Sequence, residues 1–178
     1  FIEILKNVII KKLNKKRKFL KILKKLELED NERTITIEPS DLTFEVNFQL
    51  DYSNNIIGKQ KNTVNFFNDN LKDIYSSRTF CLFEDIEKIK KSGLAKGGSL
   101  DNAIVVDDKR VINEDGLRNE KEFVNHKILD LAGDFLLSGY RILGKVNCYQ
   151  GGHGLTNLFL RKLFQSKNSF KEFEFNNV

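Results

Sequence analysis

With 178 residues, 40% of them hydrophobic and 15 of them Phe, the chain has material for one folded domain, or one domain plus a piece of another. Its net charge of +5 comes from a single run, since Lys11–Lys25 holds nine basic residues and no acidic one and leaves the remainder at −4. A local patch without zinc-finger spacing, an RNP-like aromatic motif or a recognition-helix pattern argues against a nucleic-acid-binding field. No apolar run approaches the ~20 residues that a bilayer-spanning helix needs.

In chain order, Phe1–Leu13 reads as an amphipathic helix with no capping residue before it. The chain opens on Phe1 and contains no Met, so residues 1–16 are expected to be the last helix of a truncated first domain and its linker. The basic run reads most simply as a solvated helix end and strand edge, where lysines discourage edge-to-edge pairing. The alternatives are peripheral attraction to anionic lipid headgroups, or a non-catalytic module that uses Lys11–Lys25 on an anionic surface or nucleic acid. Leu26–Glu29 and Thr34–Ile37 alternate around the turn-like Asp30-Asn31-Glu32. Leu42–Tyr52 alternates strictly, with Leu42, Phe44, Val46, Phe48, Leu50 and Tyr52 on one face, which predicts a half-buried strand. Thr63–Phe67 is a further strand candidate.

Helices are expected at Asp69–Tyr75 and Glu84–Lys91, then a flexible break at Lys96–Ser99 and strands at Ala103–Val106 and around Val111. A long helix is predicted over Glu120–Ser138, buried along Val124, Ile128, Leu131 and Phe135 and closed by Gly139. Ile142–Cys148 reads as a strand, Gly151–Gly154 as a turn and Leu155–Phe164 as the last helix. Residues 167–178 are expected to be a frayed tail. The pattern implies an α+β fold, a two-layer arrangement of an antiparallel sheet with helices on one face. Cys81 and Cys148 are isolated, which suggests free thiols in a reducing compartment.

The chemistry-bearing stretch is Phe123–Asp134. His126 and Asp130 lie four residues apart and share a helix face, a nitrogen and an oxygen donor of the kind a catalytic zinc takes. Asp134 follows one turn later. The only other histidine, His153, sits in Gly151-Gly152-His153-Gly154. The pattern points to a metal-dependent hydrolase. Spacing alone also fits a solvated helix face and a turn histidine.

Six segments carry a more specific resemblance: Ser77–Phe80, Gly93–Ser99, Ala103–Asp108, Arg110–Arg118, Glu122–Asp134 and Gly152–Asn157. In this order and at this spacing the chain resembles the UDP-3-O-acyl-N-acetylglucosamine deacetylases, zinc enzymes of lipid A biosynthesis in Gram-negative bacteria. The close match runs from about Ser76 to Phe164. The resemblance implies two similar α+β domains with the active site between them. Residues 17–166 would be the second domain, with a small β-α-β insert near 94–113.

Residue by residue, the resemblance makes His126 and Asp130 two of three protein ligands to Zn2+. The third, a histidine, and the glutamate general base would come from the missing first domain, so this segment alone is expected to bind zinc poorly and to catalyse little. His153 corresponds to the histidine that stabilises the oxyanion and protonates the departing amine, and Asp134 to the carboxylate that orients it. Thr79 and Phe80 would line the cleft for the UDP-linked acylated amino sugar. Lys127 would lie near its diphosphate, and Gly98 and Ser99 would belong to the insert that holds the acyl chain. Gln150 departs from the family, which often has a basic residue near the catalytic histidine. A cytoplasmic location is implied.

Overall fold

A computed structural model describes residues 2–9, 11 and 15–175. The elements run α1 (Ile2–Lys6), β1 (Arg17–Ile22), β2 (Leu26–Asp30), β3 (Arg33–Glu38), β4 (Phe44–Asp51), β5 (Lys59–Asn65), α2 (Lys72–Tyr75), β6 (Thr79–Leu82), α3 (Ile86–Lys91), β7 (Ala103–Val106), α4 (Glu122–Leu136), β8 (Arg141–Tyr149), α5 (His153–Gln165) and β9 (Phe170–Phe175). The fold is α+β, as the patterning implies. Seven strands make the main sheet, and β6 and β7 pair separately.

β8 organises the main sheet. Its first residues pair in parallel with β1, and its second half lies between β3, antiparallel, and β4, parallel. The sheet is therefore mixed, whereas alternation along the chain had suggested antiparallel pairing throughout. Alternation reports which face is buried and is silent on the direction of a neighbour. Leu20, Ile22, Ile35, Ile37, Val46, Phe48 and Val146 point to one face, each at most 1% exposed. α4 and α5 cover that face with Val124, Ile128, Leu131, Phe135, Phe159 and Leu163. Phe135 stacks on Phe159 and meets Phe44, with ring centroids 6.1 and 5.8 Å apart. Burying each such side chain stabilises the fold by about 1.5–3 kcal/mol.

Four expectations need correction. The first helix stops at Lys6; of the remaining predicted positions, Ile10, Lys12 and Leu13 lie outside the described residues, as do Phe1 and Asn14. The basic run is no edge: it contains β1, flanked by β8 on one side and β9 on the other. Lys18 stands opposite Glu174, and Lys25 reaches Glu27 and Glu38 at 3.7 and 3.5 Å. The tail expected to fray forms β9, which pairs antiparallel with all six residues of β1 and stacks Phe173 on Phe19 at 5.6 Å. Finally, the β-α-β unit is β6-α3-β7, with parallel strands. It starts at Thr79 rather than near residue 94, and Val111 adds only a single bridge to Val106.

Candidate active site

α4 carries the site, and its N-terminal end is fixed from several directions. No Ser, Thr or Asp caps it, and the N–H of Val124 is met by Gln60 Oε1 of β5 at 3.3 Å. The buried Asn125 accepts from Asn62 Nδ2 at 2.8 Å. Glu122, fully buried, accepts from Arg78 Nε at 2.9 Å. Tertiary partners thus do the work that a local cap does in other helices.

One turn along, His126 Nε2 stands 3.3 Å from Asp130 Oδ1. Two donors each about 2.0–2.1 Å from a tetrahedral zinc are about 3.3 Å apart, so the pair fits one half of such a ligand set. Burial lowers the His126 pKa below its ordinary value; Asp130 opposes this and Lys127 reinforces it. Burial thus favours the neutral ring, the state in which Nε2 can donate a lone pair. Among the described residues no group of three or more His, Cys, Asp or Glu is arranged to hold a metal ion.

His153 opens α5, so the expected turn is the first turn of a helix. Its Nδ1 lies 3.0 and 2.9 Å from the two carboxylate oxygens of Asp134, and its Nε2 lies 3.9 Å from Asp130 Oδ2. Asp134 thus holds one ring nitrogen and turns the other towards the His126–Asp130 pair. The imidazole is 70% exposed, available to a bound molecule. The backbone before it is tightly placed. Gly151 leaves no room for a side chain, since a Cβ would stand 2.2 Å from Cys148 Sγ and 3.3 Å from the Phe48 ring. Gln150 adopts φ +53° and donates its side-chain amide to the carbonyl of Asp51. That bond ties the turn to β4.

Lys127 Nζ lies 3.4 Å from Asp130 Oδ2, with its side chain largely buried, so it is engaged within the site. Phe80 packs edge-on against Phe123 at 5.0 Å and beside the His126 ring at 6.4 Å. It also lines a cavity of about 660 Å³ shared by Thr79, Ile86, Ile89, Gly98 and Ser99. The predicted cleft residues Thr79, Phe80, Gly98 and Ser99 therefore meet in one apolar groove beside the metal-type pair. A second groove of about 560 Å³ flanks His153, walled by Leu137, Leu160 and Phe164. Sequence reasoning missed Arg78, Asp115 and Glu122. Glu122 looks like an ordinary acid in a helix's first turn, and only its burial reveals otherwise.

The family model of UDP-3-O-acyl N-acetylglycosamine deacetylase (LpxC) matches residues 1–165. Proteins named UDP-3-O-acyl-N-acetylglucosamine deacetylase are similar along nearly the whole chain. That of Histophilus somni is 40% identical over 96% of this chain and 57% of its own length. That of Acidithiobacillus ferrooxidans is 40% identical over 91% and 54%, and that of Pasteurella multocida 40% over 96% and 57%. The chain spans little more than half the length of these relatives. With a family match over all but its last residues, it belongs to the UDP-3-O-acyl N-acetylglycosamine deacetylase family.

Proposed function

We propose that the intact protein is a zinc-dependent hydrolase that removes the N-acetyl group from UDP-3-O-acyl-N-acetylglucosamine in lipid A biosynthesis, in the cytoplasm. The observation that carries this reading is the convergence at Asp130, which lies within 3.3 Å of His126 and 3.9 Å of a His153 held by Asp134. Those are the parts of a hydrolytic half-site: two metal donors and an oriented acid–base histidine.

His126 and Asp130 would hold the zinc, with the third ligand and the general base supplied from the part of the protein that this chain does not span. Zinc, when bound, polarises the amide carbonyl and lowers the pKa of its water. His153 does the chain's own proton work. With Nδ1 on Asp134, its Nε2 can hydrogen-bond the developing oxyanion and then give a proton to the leaving amine. The apolar groove from Thr79 to Ser99 would take the acyl chain, and Lys127 would lie towards the diphosphate. Among the described residues no helix is long and apolar enough to cross a membrane.

The test is acetate release from this substrate by the intact protein and its His153→Ala variant. The variant should lose about 10²- to 10⁴-fold in turnover while its zinc content stays unchanged. A variant that turns over normally would remove His153 from the mechanism.

A further inference from the structure

The residues lining the apolar groove all lie between Thr79 and Val105, inside the β6-α3-β7 unit. The groove therefore goes wherever that unit goes, and the unit's two roots decide where it stands relative to α4. The chain enters through Ser76–Arg78 and, after β7, returns to α4 through Asp115–Arg118.

Both roots meet at Glu122, whose side chain is 0% exposed. Its Oε1 takes the entry root, accepting from the backbone N–H of Arg78 at 3.0 Å and from Arg78 Nε at 2.9 Å. Its Oε2 takes the exit root, accepting from the backbone N–H of Arg118 at 2.6 Å, and also accepts from Arg78 Nη2 at 3.2 Å. The roots are tied to each other as well. The Arg78 guanidinium bonds both Asp115 oxygens, at 3.2 and 3.0 Å, and the Gly116 carbonyl at 2.7 Å. Arg118 Nη1 crosses back to the Ser76 carbonyl at 2.7 Å.

Apolar packing holds the unit too: Phe80 meets Phe123 at 5.0 Å and Tyr52 at 5.8 Å, and Ile104 and Val106 join the core. Asn54 Nδ2 adds one bond to the Asp107 carbonyl at 3.1 Å. Packing of this kind is non-directional. Two backbone N–H groups on the two oxygens of one carboxylate are directional, and they fix an angle. α4 carries Glu122 and His126 one turn apart, so a single rigid helix joins this clamp to the metal-type pair.

We propose that Glu122 is a positioning residue for acyl-chain recognition: it clamps both roots of the β6-α3-β7 unit to the first turn of α4 and so sets the groove in register with His126 and Asp130. This rests on the reading of that groove as the site of the acyl chain. Glu122 acts only through the unit it holds, so its removal bears on how well a long chain is used.

The experiment uses the intact protein and compares kcat/KM for acetate release from the 3-O-dodecanoyl and 3-O-butanoyl forms of the substrate. The unaltered protein should prefer the longer chain. A glutamine accepts on one oxygen only, so Glu122→Gln must release one of the two roots. It should lower the long-to-short ratio by about 10-fold, the loss expected when two methylenes leave an apolar groove. A merely structural role would slow both substrates alike and leave the ratio where it was. A folded Glu122→Gln with an unchanged ratio would therefore overturn the proposal. Should that variant fail to fold, Arg118→Ala decides, since it removes only the exposed strut to Ser76. It should lower the ratio by about 2- to 10-fold, the worth of one ordinary hydrogen bond, and an unchanged ratio contradicts the proposal. An unaltered protein indifferent to chain length would sink the reading of the groove, and this inference with it.

Discussion

The two ends of α4 each carry a hydrogen-bonded pair of charged-type side chains, set in opposite surroundings. At the N-terminal end Glu122 grips Arg78 with both side chains almost fully buried. At the C-terminal end Asp134 grips His153, whose imidazole is mostly exposed. The same kind of bond does different work because of what surrounds it. A pair sealed from water cannot be broken without stranding a charge, so it fixes structure. A pair with one partner open to solvent gives up little when broken, and that partner stays free to meet a substrate.

The largest expected difference between the ends follows directly. Glu122→Ala should destabilise the fold by about 3–5 kcal/mol, because Arg78 would keep a buried charge with only the exposed Asp115 carboxylate to answer it. Urea denaturation monitored by circular dichroism checks the value, and a loss below about 1 kcal/mol would mean that water reaches the site. A smaller effect tests whether the open end has a rigid base. Gly151→Ala would push a Cβ into Cys148 Sγ and should cost about 1–3 kcal/mol in the same assay. Gly152→Ala, where nothing lies within 4 Å of the added carbon, should cost less than Gly151→Ala.

Acid should also tell the ends apart. Burial alone would raise the Glu122 pKa, but hydrogen bonds from the Arg78 side chain and from the N–H groups of Arg118 and Arg78 bring it below its usual 4.5. A carboxylate with a folded pKa below its unfolded one stabilises fully above the unfolded value. That contribution is lost as pH falls through the folded value. Denaturation midpoints taken from about pH 7 to about pH 3 should therefore fall less steeply in Glu122→Gln than in the unaltered protein. The smallest effect belongs to the open end: Asp134→Ala should change stability by no more than about 1 kcal/mol. A larger loss would show that the His153 pair is structural as well.

The sequence was most legible where burial follows a simple period. The strand centred on Phe44–Leu50 and the α4 stripe of Val124, Ile128, Leu131 and Phe135 are buried as their spacing requires. β1 was hidden because Lys18 and Lys21 interrupt the inward Leu20 and Ile22, and charge dominated the pattern. β9 was hidden for another reason. Phe170-Lys171-Glu172-Phe173 reads as a loose end until its partner β1, at the other end of the chain, is seen beside it. His126, Asp130, Asp134 and His153 were legible through residue type, i,i+4 spacing and family resemblance. Their convergence across α4 and α5 was not, since it depends on how far the turn at Gln150–Gly152 brings α5 back. Nor could any local pattern reveal the Arg78–Glu122 grip, whose partners lie 44 positions apart.

In the proposed function His126 and Asp130 hold a metal ion while His153 only moves protons beside it. Zinc content of the intact protein, measured by elemental analysis after removal of loosely bound metal, tests it most directly. The unaltered protein and His153→Ala should both retain zinc, and His126→Ala should lose it. Zinc retained by His126→Ala, or lost from His153→Ala, would contradict the assignment.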